Sequence, residues 1–246
     1  MDLHDVNCFV GRWPTESLGC STIPDLQREM DRLGIGRALV RHTWGWWHDP
    51  AEANVVLRSQ LADIEHLRPC LAATPLMEEE FGGIDAFLRG LQQAAAASVC
   101  LYPRSQSFSL SPASIGQLME ALQAVRMPLL LEMEEVSWAD IDSLATNWPR
   151  LPIVLVRTGY RLMRQLLPLL RSHASLFVDT AYLADNQALE CIAGSVGPER
   201  ILFGTGTPRT DGSGSVARLA YSDLSDEQRE LVASGNLDRL LAGICW

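Results

Sequence analysis

The chain contains no lysine: all 20 of its basic residues are arginine. That excludes a Schiff-base amine, a carboxylated lysine bridging two metal ions and a P-loop lysine on a nucleotide phosphate. No apolar run reaches membrane-spanning length, so no membrane partner is expected. No basic segment followed by an apolar one opens the chain, so no signal peptide is expected and the cytoplasm is the expected location. The six cysteines (Cys8, Cys20, Cys70, Cys100, Cys191 and Cys245) form no CxxC pair. A zinc ribbon or disulfide framework is therefore not expected, and Cys70 and Cys100, in apolar surroundings, read as small hydrophobes. There is no GxSxG nucleophile elbow, no cysteine beside a histidine and no GxGxxG turn after the first strand. Net charge is −10 with scattered arginines, which argues against a nucleic-acid partner.

What is present is an alternation. The chain has 246 residues, 47% of them hydrophobic, enough for a large core. Short apolar runs at residues 4–10, 36–42, 68–74, 98–102, 127–133, 151–157, 175–180 and 200–204 read as strands. Helical patterns at 24–33, 50–62, 83–96, 111–125, 137–147, 160–171 and 184–195 separate them. Two starts carry an acid or aspartate cap with proline (Pro24-Asp25 and Asp49-Pro50), and Ser137 with Asp140 has capping-box spacing. Eight strand–helix units imply parallel pairing with right-handed crossovers. The expected fold is a single α/β domain over residues 1–246, a (β/α)₈ TIM barrel. Short helices at Leu224–Gln228 and Asn236–Leu241 close it. An open doubly wound sheet is the competing architecture. The glycine-rich stretch Gly204–Gly214 does not support it, because it comes at the end of the chain. In a barrel, chemistry is expected where strands end.

Three segments carry a family resemblance. The opening Asp5-Val6-Asn7-Cys8-Phe9-Val10-Gly11 resembles the Asp-x-His-x-His-x-Gly strand of metal-dependent amidohydrolases, with both histidines replaced. The segment from Gly197 through Arg200-Ile201-Leu202-Phe203-Gly204 to Pro208 resembles that family's G-x-E-R-I-L-F-G-S-D-x-P run. Leu224 to Leu241 is similar to its closing helices. Asp5, Val6, Asn7, Gly11, Trp13 and Pro14, with the segment from Val40 to Asn54, are similar to a branch of the family that lacks the usual ligands. The resemblance implies a hydrolase-like barrel in which Asn7, Phe9, Glu132, Arg157 and Gly206 stand where the family places metal ligands or a catalytic aspartate. Asparagine is a poor transition-metal ligand and phenylalanine is none. Arg157 would repel a cation. No metal or other cofactor is expected at the usual place.

The candidate residues lie at strand ends. His42, after strand 2, is a candidate general acid or base, or a histidine satisfied in a loop. Glu132 and Asp179, ending strands 5 and 7, are the other acid–base candidates. If Glu134 enters the mouth beside Glu132, like-charge repulsion would raise one of them. Arg104 and Arg157 are candidate anion holders, with Arg157 pairing to Glu132 or Asp179 as the competing reading. Asn7, Trp44 and His48 complete the candidate binding set. Trp44, Trp46 and Trp47 read as exposed residues of a lid, a subunit contact or a packed cap. His4, His66 and His173 fall at the opposite end of the barrel and are set aside.

Three functions remain open on these grounds. One is a metal-independent barrel that binds or acts on a small polar or anionic molecule. Another is a non-catalytic scaffold that forms homo-oligomers. The third is a metal-dependent hydrolase or decarboxylase whose divalent ion sits at a shifted place, held by Asp5, His42, Glu132 or Asp179.

Overall fold

A computed structural model describes residues 1–14 and 18–246. Eight parallel strands run in the order β1 to β8: Leu3–Val10, Ile35–His42, Leu67–Ala72, Ser98–Leu101, Leu129–Glu132, Ile153–Val156, Leu176–Asp179 and Ile201–Leu202. Between β8 and β1 the circle is closed by backbone bonds from Val6 N to Phe203 O (3.0 Å), Gly206 N to Asn7 O (2.9 Å) and Phe9 N to Thr207 O (2.8 Å). This is the (β/α)₈ barrel expected from the alternation.

The helices form the outer layer: α1 (Ile23–Leu33), α2 (Trp44–Trp47), α3 (Pro50–Leu61), α4 (Met77–Phe81), α5 (Ile84–Gln93), α6 (Pro112–Ala124), α7 (Trp138–Asn147), α8 (Met163–Ser172), α9 (Ala188–Val196), α10 (Gly212–Ala220), α11 (Asp226–Glu230) and α12 (Asn236–Ala242). Local chemistry starts several of them. Thr22 and Asp25 form a capping box on α1, Ser137 and Asp140 one on α7, and Ser225 and Gln228 one on α11. Asp49 caps α3 by accepting from Glu52 N at 2.9 Å.

Three helices lie outside the expected pattern. The tryptophan segment is one short turn, α2, and residues 77–81 form another. Glycine-rich residues 212–220 form α10, because its first glycine is a packing device. A Cβ on Gly212 would lie 2.5 Å from Leu33 Cδ1 and 3.0 Å from Thr205 Cγ2, so α10 rests on α1 and the end of β8 at glycine distance. Between α11 and α12 the chain makes one π-helical turn, Leu231–Gly235. There Val232 O accepts from Phe203 N at 3.0 Å, tying the closing helices to the last strand.

Two apolar layers result. One, with Val40, Leu71, Val99, Leu131, Leu155 and Val178, packs between strands and helices. The other fills the barrel with Val6, Phe9, Leu39, Cys70, Cys100, Leu130, Val154 and Leu202. Among the described residues no helix is long and apolar enough to cross a membrane.

Candidate functional site

The strand ends of β1, β2, β5 and β7 deliver a buried polar cluster to the inside of the barrel. Side chains alternate across each strand. On β2 that alternation turns Arg41 inward and His42 outward, and Phe9 of β1 is in register with Arg41. Arg41 is 1% exposed. Its Nη2 donates to Glu132 Oε1 at 2.7 Å and also to Asn7 Oδ1. Asn7 Nδ2 donates to Asp179 Oδ2 at 2.8 Å, and the backbone N–H of Arg157 donates to Asp179 Oδ1 at 2.9 Å. Asp5 accepts from the backbone N–H groups of Asn7 (2.8 Å) and Thr205 (3.1 Å) and from the Thr205 hydroxyl.

Burial governs the titration of this cluster. Loss of water pushes Asp179 up to about 8, with the charges of Glu132 and Asp5 adding to the rise. Hydrogen bonds from Asn7 and from the Arg157 backbone oppose it. Asp5 is also raised by burial, against the bonds from Thr205 and Asn7. Arg41 stays charged. Burial opposes its charge, but the surrounding acidic groups, Glu132 among them, outweigh that and raise its pKa above the ordinary arginine value.

The cluster is roofed by aromatic rings. The Arg41 guanidinium lies 3.9 Å over the Phe9 ring centroid. Phe9 meets Trp13 and Trp46 at centroid distances of 5.2 and 5.8 Å. Trp46 stacks on Tyr102 at 4.8 Å and on Trp47 at 5.2 Å, and its indole N–H donates to Glu135 Oε1 at 2.8 Å. Arg209 closes the stack from outside, 5.0 Å over Trp13 and 4.9 Å over Trp46.

Above that roof lies a solvent-facing group of charges. Arg157 and Arg209 side chains are 17% and 20% exposed, and Glu134, 46% exposed, sits between them. Arg157 Nη1 is 3.2 Å from Glu134 Oε1, and Arg209 Nη1 bonds the same oxygen. Partial burial alone would raise Glu134. The Arg209 hydrogen bond and the charges of Arg209, Arg157 and Arg104 outweigh it and hold the carboxyl below its ordinary value. On the same face, a cavity of about 580 Å³ opens between the loops after β2, β3 and β4. Trp46, Trp47 and Phe108 supply its rings, and Glu80, Ser105 and Gln106 are among its polar groups. Trp46 is common to both: it carries Arg209 and lines the cavity.

The structure brings Asn7, Glu132 and Asp179 together and places Arg104 and Arg157 at the mouth. Several expectations need correction. The close, hydrogen-bonded partner of Glu132 is Arg41, and the expected Arg157–Glu132 pair is present only as a longer contact. Arg157 Nη1 stands 3.9 Å from Glu132 Oε2 and makes its close pair with Glu134. Glu134 is surrounded by arginines, so like-charge repulsion does not set its titration. His42 lies outside the cluster. Its Nδ1 accepts from Trp44 N at 3.1 Å, which leaves the ring proton of the neutral form on Nε2, and burial lowers its pKa. Trp46 is a buried plug, 1% exposed, while Trp44 and Trp47 are open to solvent. His48 ends α2, with Nε2 3.8 Å from Glu52 on the helix surface. Gly206 has φ +71, and a Cβ there would lie 3.4 Å from Arg157 Cδ.

Arg41, Arg209 and Trp13 were not among the candidates. The β2 segment is apolar on both faces, as parallel barrel strands are, so its pattern does not give the side-chain parity. The one available signal was Arg41 standing directly after the apolar run Ala38-Leu39-Val40. Arg209 comes near Glu134 only through the closed barrel, 75 residues apart in sequence.

A divalent ion does not fit the donors at the place where the resemblance puts one. Glu132 Oε1 and Asn7 Oδ1 both receive the Arg41 guanidinium, whose fixed charge repels a cation. Among the described residues no group of three or more His, Cys, Asp or Glu side chains is placed to hold a metal.

The family model for amidohydrolases matches residues 27–242, and the chain belongs to that family. No curated protein matches it. Among solved structures, it is similar to an uncharacterised TIM-barrel protein from Bordetella bronchiseptica (13% identity, 99% of each chain covered, TM-score 0.76). It is also similar to a dihydroxybenzoic acid decarboxylase from a Polaromonas species, solved with manganese and 2-nitroresorcinol. That match has 14% identity, covers 98% of this chain and 97% of that one, and has TM-score 0.79. A third is 5-carboxyvanillate decarboxylase from Sphingomonas paucimobilis (14% identity, 98% and 99% covered, TM-score 0.73). At these identities the likeness is one of fold.

Proposed function

We propose that this barrel binds a small planar carboxylate at its C-terminal mouth and does so without a resident metal ion. The observation that carries the reading is the position of Glu134. Its carboxylate is already seated between Arg157 and Arg209, within the field of Arg104. Arginines from the loops after β4, β6 and β8 thus converge on one carboxylate that remains partly open to water. A ligand carboxylate presents the same atoms and can replace it, with the bidentate geometry that guanidinium groups favour. Trp47, open to solvent and stacked on the buried Trp46, offers a flat apolar surface on the same face. The names of the decarboxylases similar in fold fit the same chemistry, since both are named for aromatic carboxylates.

Arg41 takes the electrostatic role that a metal ion has in such barrels, because it neutralises Glu132 and fixes Asn7. If the barrel turns its ligand over, Asp179 is the group with a proton to give at neutral pH.

The test is calorimetric titration of 2,6-dihydroxybenzoate into protein treated with a chelator. Binding is expected without added metal, with Arg157→Ala and Arg209→Ala each weakening it about tenfold, the equivalent of ~1.4 kcal/mol. Glu134→Gln, which removes the resident competitor, is expected to tighten it. Binding that requires added zinc or manganese, or that ignores all three substitutions, would defeat the reading.

A further inference from the structure

The opposite end of the barrel carries a second arginine group with a different character. A cavity of about 590 Å³ opens there between the residues leading into β5, β6 and β7 and the closing helix α12. Arg126, Arg150 and Arg239 line it, and no aspartate or glutamate does. In a chain of net charge −10, that is a local reversal of sign. Other surface arginines show the contrast: Arg28, Arg32 and Arg229 each pair with an acid three residues earlier. None of the three cavity arginines has a carboxylate within 4.0 Å among the described residues.

Neutral groups orient the Arg239 side chain and fix the backbone that carries Arg126 and Arg150. The Arg239 guanidinium donates to Asn236 Oδ1 (3.1 Å) and Glu199 O (3.3 Å), which orient it without cancelling its charge. The backbone N–H of Arg150 donates to Gln123 Oε1 at 3.0 Å, fixing the turn that presents its side chain. Arg126 has φ +53 just after α6, where the Met127 N–H returns to Leu122 O at 2.9 Å. Glycine fills such a left-handed helix-end position at the lowest cost, so an arginine there is held against local preference. The rest of the lining is mixed: Gln123, Ser175 and Asn236 are polar, and Phe177 and Leu240 give the largest apolar surface.

We infer that this cavity is a binding site for a small organic dianion with an apolar body, separate from the mouth. Convergent cations in a concave, partly apolar wall concentrate their field on an anion. The volume is that of a small-molecule site. Three guanidinium groups match two anionic charges better than one, and Phe177 with Leu240 gives the remainder of the ligand a surface. The inference stands on residues that the mouth does not use, so each can fail alone.

The experiment is calorimetric titration of the full chain with phenyl phosphate and with phthalate, which separates a phosphate source of the dianion from a dicarboxylate one. Inorganic phosphate and benzamide serve as controls. With the mouth weakened by Arg157→Ala/Arg209→Ala, one-to-one binding of at least one organic dianion is expected to persist, and to fall at least tenfold when Arg126→Ala/Arg150→Ala is added. For phenyl phosphate, which carries no carboxylate, Arg209→Ala alone is expected to leave the affinity unchanged. The charge reversal Arg150→Glu, on an exposed side chain, should abolish binding while circular dichroism stays native. Three results would overturn the inference: no organic dianion binding better than benzamide, inorganic phosphate binding as tightly as phenyl phosphate, or affinity that follows Arg209 and not Arg126 and Arg150.

Discussion

Arg41 and Glu132 are each 1% exposed, and neither is tolerable in the barrel without the other. Removing one partner of such a buried pair typically costs about 3–5 kcal/mol, while replacing both by apolar residues is often neutral or stabilising. Arg41→Met is therefore expected to lower the urea midpoint sharply, and Arg41→Met/Glu132→Leu to recover most of the loss. Equal losses in the single and double variants would count against the pairing. Asp179 sets a pH dependence. Its folded value is about 8 against an ordinary 3.8, so the native state holds a proton that the unfolded chain releases. Stability from this group is greatest at low pH, falls as pH rises from about 4 to about 8, and is level beyond. His42, whose pKa is lowered by burial, acts in the opposite sense, mainly below its ordinary 6.5 and fading over about one pH unit above it. Toward pH 8 the Asp179 slope is therefore the larger of the two. Unfolding free energies should decline toward pH 8 for the native chain and decline less for Asp179→Asn, in which only the smaller contributions of groups such as Asp5 and His42 remain. A flat native profile would refute the assignment.

The elements were legible where local chemistry decides them. Strand positions followed from short apolar runs, and the starts of α1, α3 and α7 from Pro24-Asp25, Asp49-Pro50 and Ser137-Asp140, while the Thr22 cap of α1 emerged only in the structure. Side-chain parity on β2 was not legible, because both faces are buried and Val40, Arg41 and His42 give no alternation. That single ambiguity put His42 in the place that Arg41 holds. Helix α10 was hidden for another reason: its glycines read as loop, yet they differ in what surrounds them. Gly212 packs against Leu33 and Thr205, whereas Gly214 has nothing within 4 Å of a Cβ. Gly212→Ala is expected to destabilise by about 1–3 kcal/mol through overpacking, and Gly214→Ala to stabilise by up to ~1 kcal/mol through helix preference. Thermal melts of the two variants moving in the same direction would contradict the packing described.

At the scale of the molecule, the barrel gathers arginines into a group at each end. A net −10 chain gathers Arg104, Arg157 and Arg209 around Glu134 at one end and leaves Arg126, Arg150 and Arg239 without acids at the other. Neither grouping is visible in the sequence, where the same arginines are scattered; closure of the sheet assembles them. If Arg41 stands in for an ion, the melting temperature should be the same before and after exhaustive chelation, and zinc or manganese should not raise it by differential scanning calorimetry. A rise of several degrees on adding either ion would point to a metal site elsewhere in the barrel. The distinction has a consequence for how the molecule meets its surroundings. A bound ion has a dissociation constant and is present only in proportion to its supply. The guanidinium at Glu132 is joined to its site by the backbone of β2, so its occupancy does not vary with dilution, growth medium or competing ligands, and every folded copy of the chain carries it.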